Sequence, residues 1–76
     1  MRERNFGNWL RKQMYEIDRS HEWLYRRVNV STGAVNRWTT GDAPNLYIVL
    51  KILKVLAVQK GCTCGEVFQD YLEYQR

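Results

Sequence analysis

Three residues between positions 20 and 31 leave this chain little choice of fold. Ser20 is a good helix N-cap, Asn29 is one of the few non-glycine residues at ease with positive φ, and Ser31 is a second N-cap. A helix opened at Ser20 therefore has to stop at Asn29, and another begins almost at once. Leu24 and Val28 form the apolar side of the first of these helices, with Trp23 beside them, and Glu22 lies in its first turn, where the helix dipole favours an acid. The second runs over Thr32 to Thr39 with Val35 and Trp38 inward. Its open side carries Thr32, Gly33, Asn36 and Arg37. A helix built only for stability would carry Leu, Glu and Lys there. This one is trimmed for close approach to something.

The flanking segments read as further helices. Phe6, Trp9, Leu10, Met14 and Ile17 recur at three- and four-residue steps and predict a helix over about Asn5 to Ile17. Gly41 is the expected left-handed stop after the third helix, and Pro44 the expected first residue of a fourth. Leu46, Val49, Leu50, Leu53, Leu56 and Ala57 carry that helix from Asn45 to Val58. Thr63 and Glu66 fit a capping box that opens a fifth helix at about 64–74, with Val67, Phe68, Tyr71 and Leu72 on one side. The expectation is an all-α, compact five-helix fold: a single domain over residues 1–76, with the two-helix unit at about 20–39. At 45% hydrophobic residues, 76 residues suffice for one core.

Charge separates the two halves. Residues 1–40 carry eight basic residues, seven of them Arg, against four acids, whereas residues 41–76 carry four of each. Arg is the side chain suited to forked contacts with phosphate and guanine, so the basic half suggests an anionic partner. The apolar run from Leu46 to Val58 is interrupted by Lys51 and Lys54 and is too short to span a bilayer. The N-terminus lacks the apolar stretch of a signal peptide. A cytoplasmic protein without a membrane partner is expected. Cys62 and Cys64 are separated by one residue, a spacing that strains a disulfide and supplies too few ligands for zinc, so two reduced thiols and no metal are expected.

No nucleophile–base set and no glycine-rich phosphate loop is visible, and His21 is the sole histidine. The chain reads as a non-enzyme with no cofactor and no small-molecule substrate. Asp70 and Glu73 share a face of the last helix and read as solvated, and His21 as an exposed first-turn residue. A helix-turn-helix that reads duplex DNA needs two tightly packed helices, a short turn, and small polar side chains on the second helix. Base edges lie on the floor of a groove about 12 Å wide. Residues 20–38 meet these requirements.

Here "SHEWLYRRVNVSTGAVNRW", the exit turn "TTGDAP" and the following "NLYIVLKILKVLAV" resemble the lambda-type phage repressor and Cro family, the xenobiotic-response-element type of helix-turn-helix, over roughly residues 6–58. The departures are His21 where the family usually has Gln, Tyr25 where it has Ala, Asn29 where it has Gly, and Thr39 where it has Glu. With Tyr25 at the crossing, either the two helices sit wider apart or the ring swings outward. The resemblance implies a sequence-specific transcriptional regulator, a repressor of phage or mobile-element type. Thr32, Gly33, Asn36 and Arg37 would read base edges, Gly33 through its backbone alone. Ser20, His21 and Thr40 would hold phosphate, with Arg27 and Arg11, and more remotely Arg2 and Arg4, as helpers. A homodimer is expected, with Val67, Phe68 and Tyr71 covering the domain's own core and Leu72 and Tyr74 left for the partner copy. The alternative is a protein-interaction module, antitoxin-like or an inhibitor partner, that binds through the aromatic last helix.

Overall fold

The structure, a computed structural model, describes residues 5–38 and 40–76 and, of Thr32 and Val35, the backbone alone. The expectations at Arg2, Arg4 and Thr39, and those for the side chains of Thr32 and Val35, lie outside the described residues. Five helices follow one another: α1 (Phe6–Glu16), α2 (His21–Val28), α3 (Thr32–Trp38), α4 (Leu46–Lys60) and α5 (Cys64–Tyr74), with no strand among the described residues.

Each start is fixed by a side chain that accepts an orphan backbone N–H. Asn5 accepts from Asn8 at 2.9 Å, Ser20 from Trp23 at 3.2 Å, Ser31 from Ala34 at 3.2 Å and Asn45 from Ile48 at 2.9 Å. Thr63 and Glu66 close the expected capping box. Pro44 is not the first residue of α4: the Asn45 carboxamide takes the cap, so the helix begins at Leu46 and the proline stands outside it. Asn29 ends α2 in the left-handed conformation as expected, at φ 56°, and Gly41 has the expected positive φ, 119°, after α3. Helix α4 runs on to Lys60, two residues past the expected end, where Gly61 at φ 68° stops it. Asp18, also at φ 55°, bends the chain between α1 and α2.

The core gathers Phe6, Trp9, Leu10 and Met14 of α1, Leu24 and Val28 of α2, Trp38 of α3, Ile52, Leu53, Leu56 and Ala57 of α4, and Val67 of α5. Trp38 is buried, and its ring stands edge-on to Phe6 of α1, 5.8 Å between centroids. The short α3 is thus anchored on the first helix. Tyr71 completes an aromatic cluster, with ring centroids 5.5 Å from Phe6 and 5.1 Å from Trp9.

Two expectations about α5 and α1 are corrected. Asp70 is not a solvated bystander: its Oδ2 accepts from the Trp9 indole Nε1 at 3.0 Å and from Gln13 Nε2 at 3.1 Å. Gln13, fully buried, accepts at its own Oε1 from Lys60, which also reaches Glu16 at 3.3 Å. An acid 57 residues away in sequence is recruited because a buried amide and a buried indole each need an acceptor. The second correction concerns the tail. Val67, Tyr71 and Tyr74 form the side of α5 packed on the core, whereas Phe68 and Leu72 stay 42% and 40% exposed. Phe68 and Tyr74 therefore exchange their expected places, because the helix is turned so that steps of four and three from Val67 point inward.

Candidate nucleic-acid interface

The geometry of the α2–turn–α3 unit follows from its caps. At the end of α2 the Asn29 and Val30 backbone amides both return to the Tyr25 carbonyl, the latter at 3.3 Å, and this closes the left-handed turn. Ser31 then caps α3, a helix of only seven residues whose last, Trp38, plunges into the core. Along that helix Gly33, Asn36 and Arg37 are exposed. A Cβ placed on Gly33 would meet no heavy atom within 4 Å, so the glycine is not demanded by packing within the domain. Without a side chain it leaves the outer surface of α3 low.

Arg37 reaches across the exit loop, its Nε 3.8 Å from Asp42 Oδ2. Both side chains are about two-thirds exposed, and an open pair of this kind is worth at most about 1 kcal/mol, so Asp42 holds Arg37 only weakly. The loop folds back on the Arg37 carbonyl, which accepts from the Thr40 amide, the Thr40 hydroxyl and the Asp42 amide at 3.1, 2.9 and 3.1 Å. Thr40 is thus exposed but its hydroxyl proton is committed locally. Gripping a phosphate with it requires giving up that bond.

At the other end of the unit, Ser20 uses its oxygen as the cap and keeps its hydroxyl proton to offer. His21 is half-buried rather than exposed, with Tyr25 leaning edge-on against it at 6.1 Å between centroids. Tyr25 is itself half-buried, so its ring lies along the flank of α2 over His21. Burial, with the charge of Arg11 second, lowers the His21 pKa below the ordinary 6.5. At neutral pH the imidazole is therefore uncharged and offers one N–H. Arg11 is exposed on α1, and Arg27 lies over the face of Trp23, 4.4 Å from the ring centroid.

The fold thus collects Gly33, Asn36, Arg37 and Thr40 about α3 and its exit, and Ser20, His21 and Arg11 about the start of α2. Leu72 and Tyr74 are not one surface. Leu72 shares its exposure with Phe68, while Tyr74 is half-buried with Lys12 6.0 Å from its ring. Sequence reading also passed over Arg19, whose guanidinium lies 5.3 Å from the Trp23 ring, although its four-residue spacing from Trp23 was visible. Leu46, Tyr47 and Leu50, 71%, 66% and 49% exposed, are a further apolar surface at the start of α4. Cys62 and Cys64 are free thiols, and among the described residues no group of three His, Cys, Asp or Glu side chains is arranged to hold a metal. Likewise, no helix among them is long and apolar enough to cross a membrane.

Compared with known proteins, the chain matches no family model, no curated protein and no solved structure.

Proposed function

We propose that this protein is a non-enzymatic, sequence-specific binder of double-stranded DNA, a cytoplasmic transcriptional regulator of the phage or mobile-element repressor type, with α3 in the major groove. One observation carries the reading. A seven-residue helix, held from behind by Trp38 and from in front by a Ser31 cap, presents Gly33, Asn36 and Arg37 outward with an open backbone at Gly33. Short polar and forked cationic side chains on a low surface are what reading base edges requires. The lambda-type resemblance supports the same assignment. A single reading helix covers about half a turn of groove, so two copies related by a two-fold axis are proposed, with Leu72 and its neighbour Phe68 at the contact. Selection of bound duplexes from a random pool tests it. The expected result is a palindromic consensus. Recovery of sequences without any consensus contradicts base reading.

The exposed pair Phe68 and Leu72 also favours the second reading, an interaction module that docks through α5. In that case charging Leu72 abolishes partner binding and leaves duplex retention at the level of any basic protein.

A further inference from the structure

Trp23 stands between two guanidiniums. Arg19, one turn before it, has its Cζ 5.3 Å from the indole centroid, and Arg27, one turn after, 4.4 Å. Among the described residues neither arginine takes part in an ion pair, in contrast to Arg26, which is tied to Glu22 at 2.8 Å. A guanidinium stacked on a ring keeps its in-plane N–H donors directed outward, and the ring holds it in place without supplying a counter-charge. Trp23 and Arg27 border one hollow with Lys54 of α4 and a second with Ser20, Glu22 and Arg26. The one acid of the second, Glu22, is already paired with Arg26. Asp18 lines the hollow that Arg19 borders but forms no ion pair with it, so both arginines by Trp23 keep their charge uncompensated by a direct partner among the described residues.

We propose that Arg19 and Arg27, aligned by Trp23, form a clamp for successive phosphates of a nucleic-acid backbone. Trp23 is the positioning residue and Arg19 a phosphate ligand that the reading of α3 leaves out. The inference rests on the two-helix unit being a duplex binder, in which the first helix crosses the backbone and the second enters the groove. Arg19 precedes the Ser20 cap by one residue, so the clamp begins at the N-terminal end of α2, where the helix dipole favours an anion. Phosphate, rather than a carboxylate-bearing partner, is the favoured occupant because two forked donors, one just before α2 and one in its last turn, match a repeating anion.

The test measures affinity of the full chain for a random-sequence duplex against salt concentration. Each phosphate contact contributes about 1 to the slope of log K on log salt. Arg19→Gln with Arg27→Gln is expected to lower the slope by about 2 and to weaken preferred and random duplexes by the same factor. Trp23→Leu, with both arginines intact, is expected to lower the slope as well, and Trp23→Phe to restore most of it, with the thermal midpoint followed in parallel. An unchanged slope in the double variant overturns the clamp, and a wild-type slope in Trp23→Leu overturns the positioning role. Nitrogen-resolved NMR of the arginine Nε–H groups separates the sources of phosphate. Shifts at Arg19 and Arg27 on adding duplex support the backbone assignment. Saturation of the same shifts by inorganic phosphate, without competition from duplex, marks a free-ion site and overturns it. Failure of base reading looks different: Arg37→Ala then leaves sequence preference unaltered while the slope effects of Arg19 and Arg27 persist.

Discussion

The body made by α1, α4 and α5 and the pair α2 and α3 are held by different means: contrary to the tight pairing expected from sequence, α2 docks on α4 and α3 on α1 rather than chiefly on each other. In the first, Phe6, Trp9 and Tyr71 interlock, and a polar chain of Lys60, Gln13 and Asp70 ties three helices together around the buried Gln13 amide, which needs both partners. In the second, two helices of eight and seven residues rest on Leu24, Val28 and Trp38, and the remainder of their surface is polar, small or cationic. Isolated helices so short are unstable in water. The lesson is that the pair proposed to meet DNA borrows its order from the body behind it. It spends its own sequence on an outward surface.

The comparison breaks most easily at the joint. Trp38→Ala removes the anchor of α3 and is expected to cost about 3–5 kcal/mol, enough to unfold so small a domain. Chemical denaturation checks it, and a variant that keeps its midpoint while losing DNA binding would assign Trp38 to the partner instead of the core. Asp70→Ala attacks the body alone. It leaves the Trp9 indole and the Gln13 amide without their acceptor and is expected to cost about 1–3 kcal/mol, seen as a lower urea midpoint. The affinity of the molecules that remain folded is expected to be unaltered.

The tail sharpens the contrast further. Phe68→Glu with Leu72→Glu is expected to halve the sedimenting mass with little loss of stability, because both side chains are exposed. Tyr74→Glu is expected to lower the thermal midpoint instead, since that ring is packed on the core. A mass unaffected by the double charge places the two-fold contact elsewhere.

The smallest effect concerns His21. Its folded pKa lies below 6.5, so on acidification the unfolded chain takes up the proton first. The stability contributed by the neutral imidazole is therefore present above pH 6.5 and lost as pH falls through the lowered folded value. As the sole histidine, its ring resonances titrate without overlap. Arg11→Gln is expected to move the midpoint upward, by less than relief of burial would. Duplex binding, which brings phosphate near the start of α2, is expected to raise it too. A midpoint at or above 6.5 in the free protein contradicts the burial of the ring.

Much of this fold was legible along the chain because caps are local. Ser20, Asn29, Ser31, Thr63 and Glu66 act within four residues of themselves, and each stands where its residue type suggests. Pro44 misled because two starts compete there, and an Asn carboxamide that accepts from the third residue on outweighs a favourable proline. What was not legible depends on distant partners. Gln13 looks like a break in the apolar stripe of α1 until Asp70 and Lys60 arrive from helices far along the sequence. The rotation of α5 was equally hidden, since Val67, Phe68, Tyr71, Leu72 and Tyr74 allow more than one apolar face, and only contact with α1 and α4 selects one. At the candidate site, exposure of Gly33, Asn36 and Arg37 followed from Trp38 pointing inward. The stacking of Arg19 and Arg27 on Trp23 was written in a four-residue spacing that the apolar pattern drew attention away from.

The central claim is that α3 reads bases, and Arg37→Ala tests it most directly. Arg37 is exposed on the outer side of α3 and tied only loosely to Asp42, so its removal is expected to leave the thermal midpoint nearly unchanged. Binding to the preferred duplex is expected to weaken by about 1–3 kcal/mol, with a much smaller loss on random duplex, so that preference relaxes. Equal loss on preferred and random duplexes would contradict base reading by Arg37.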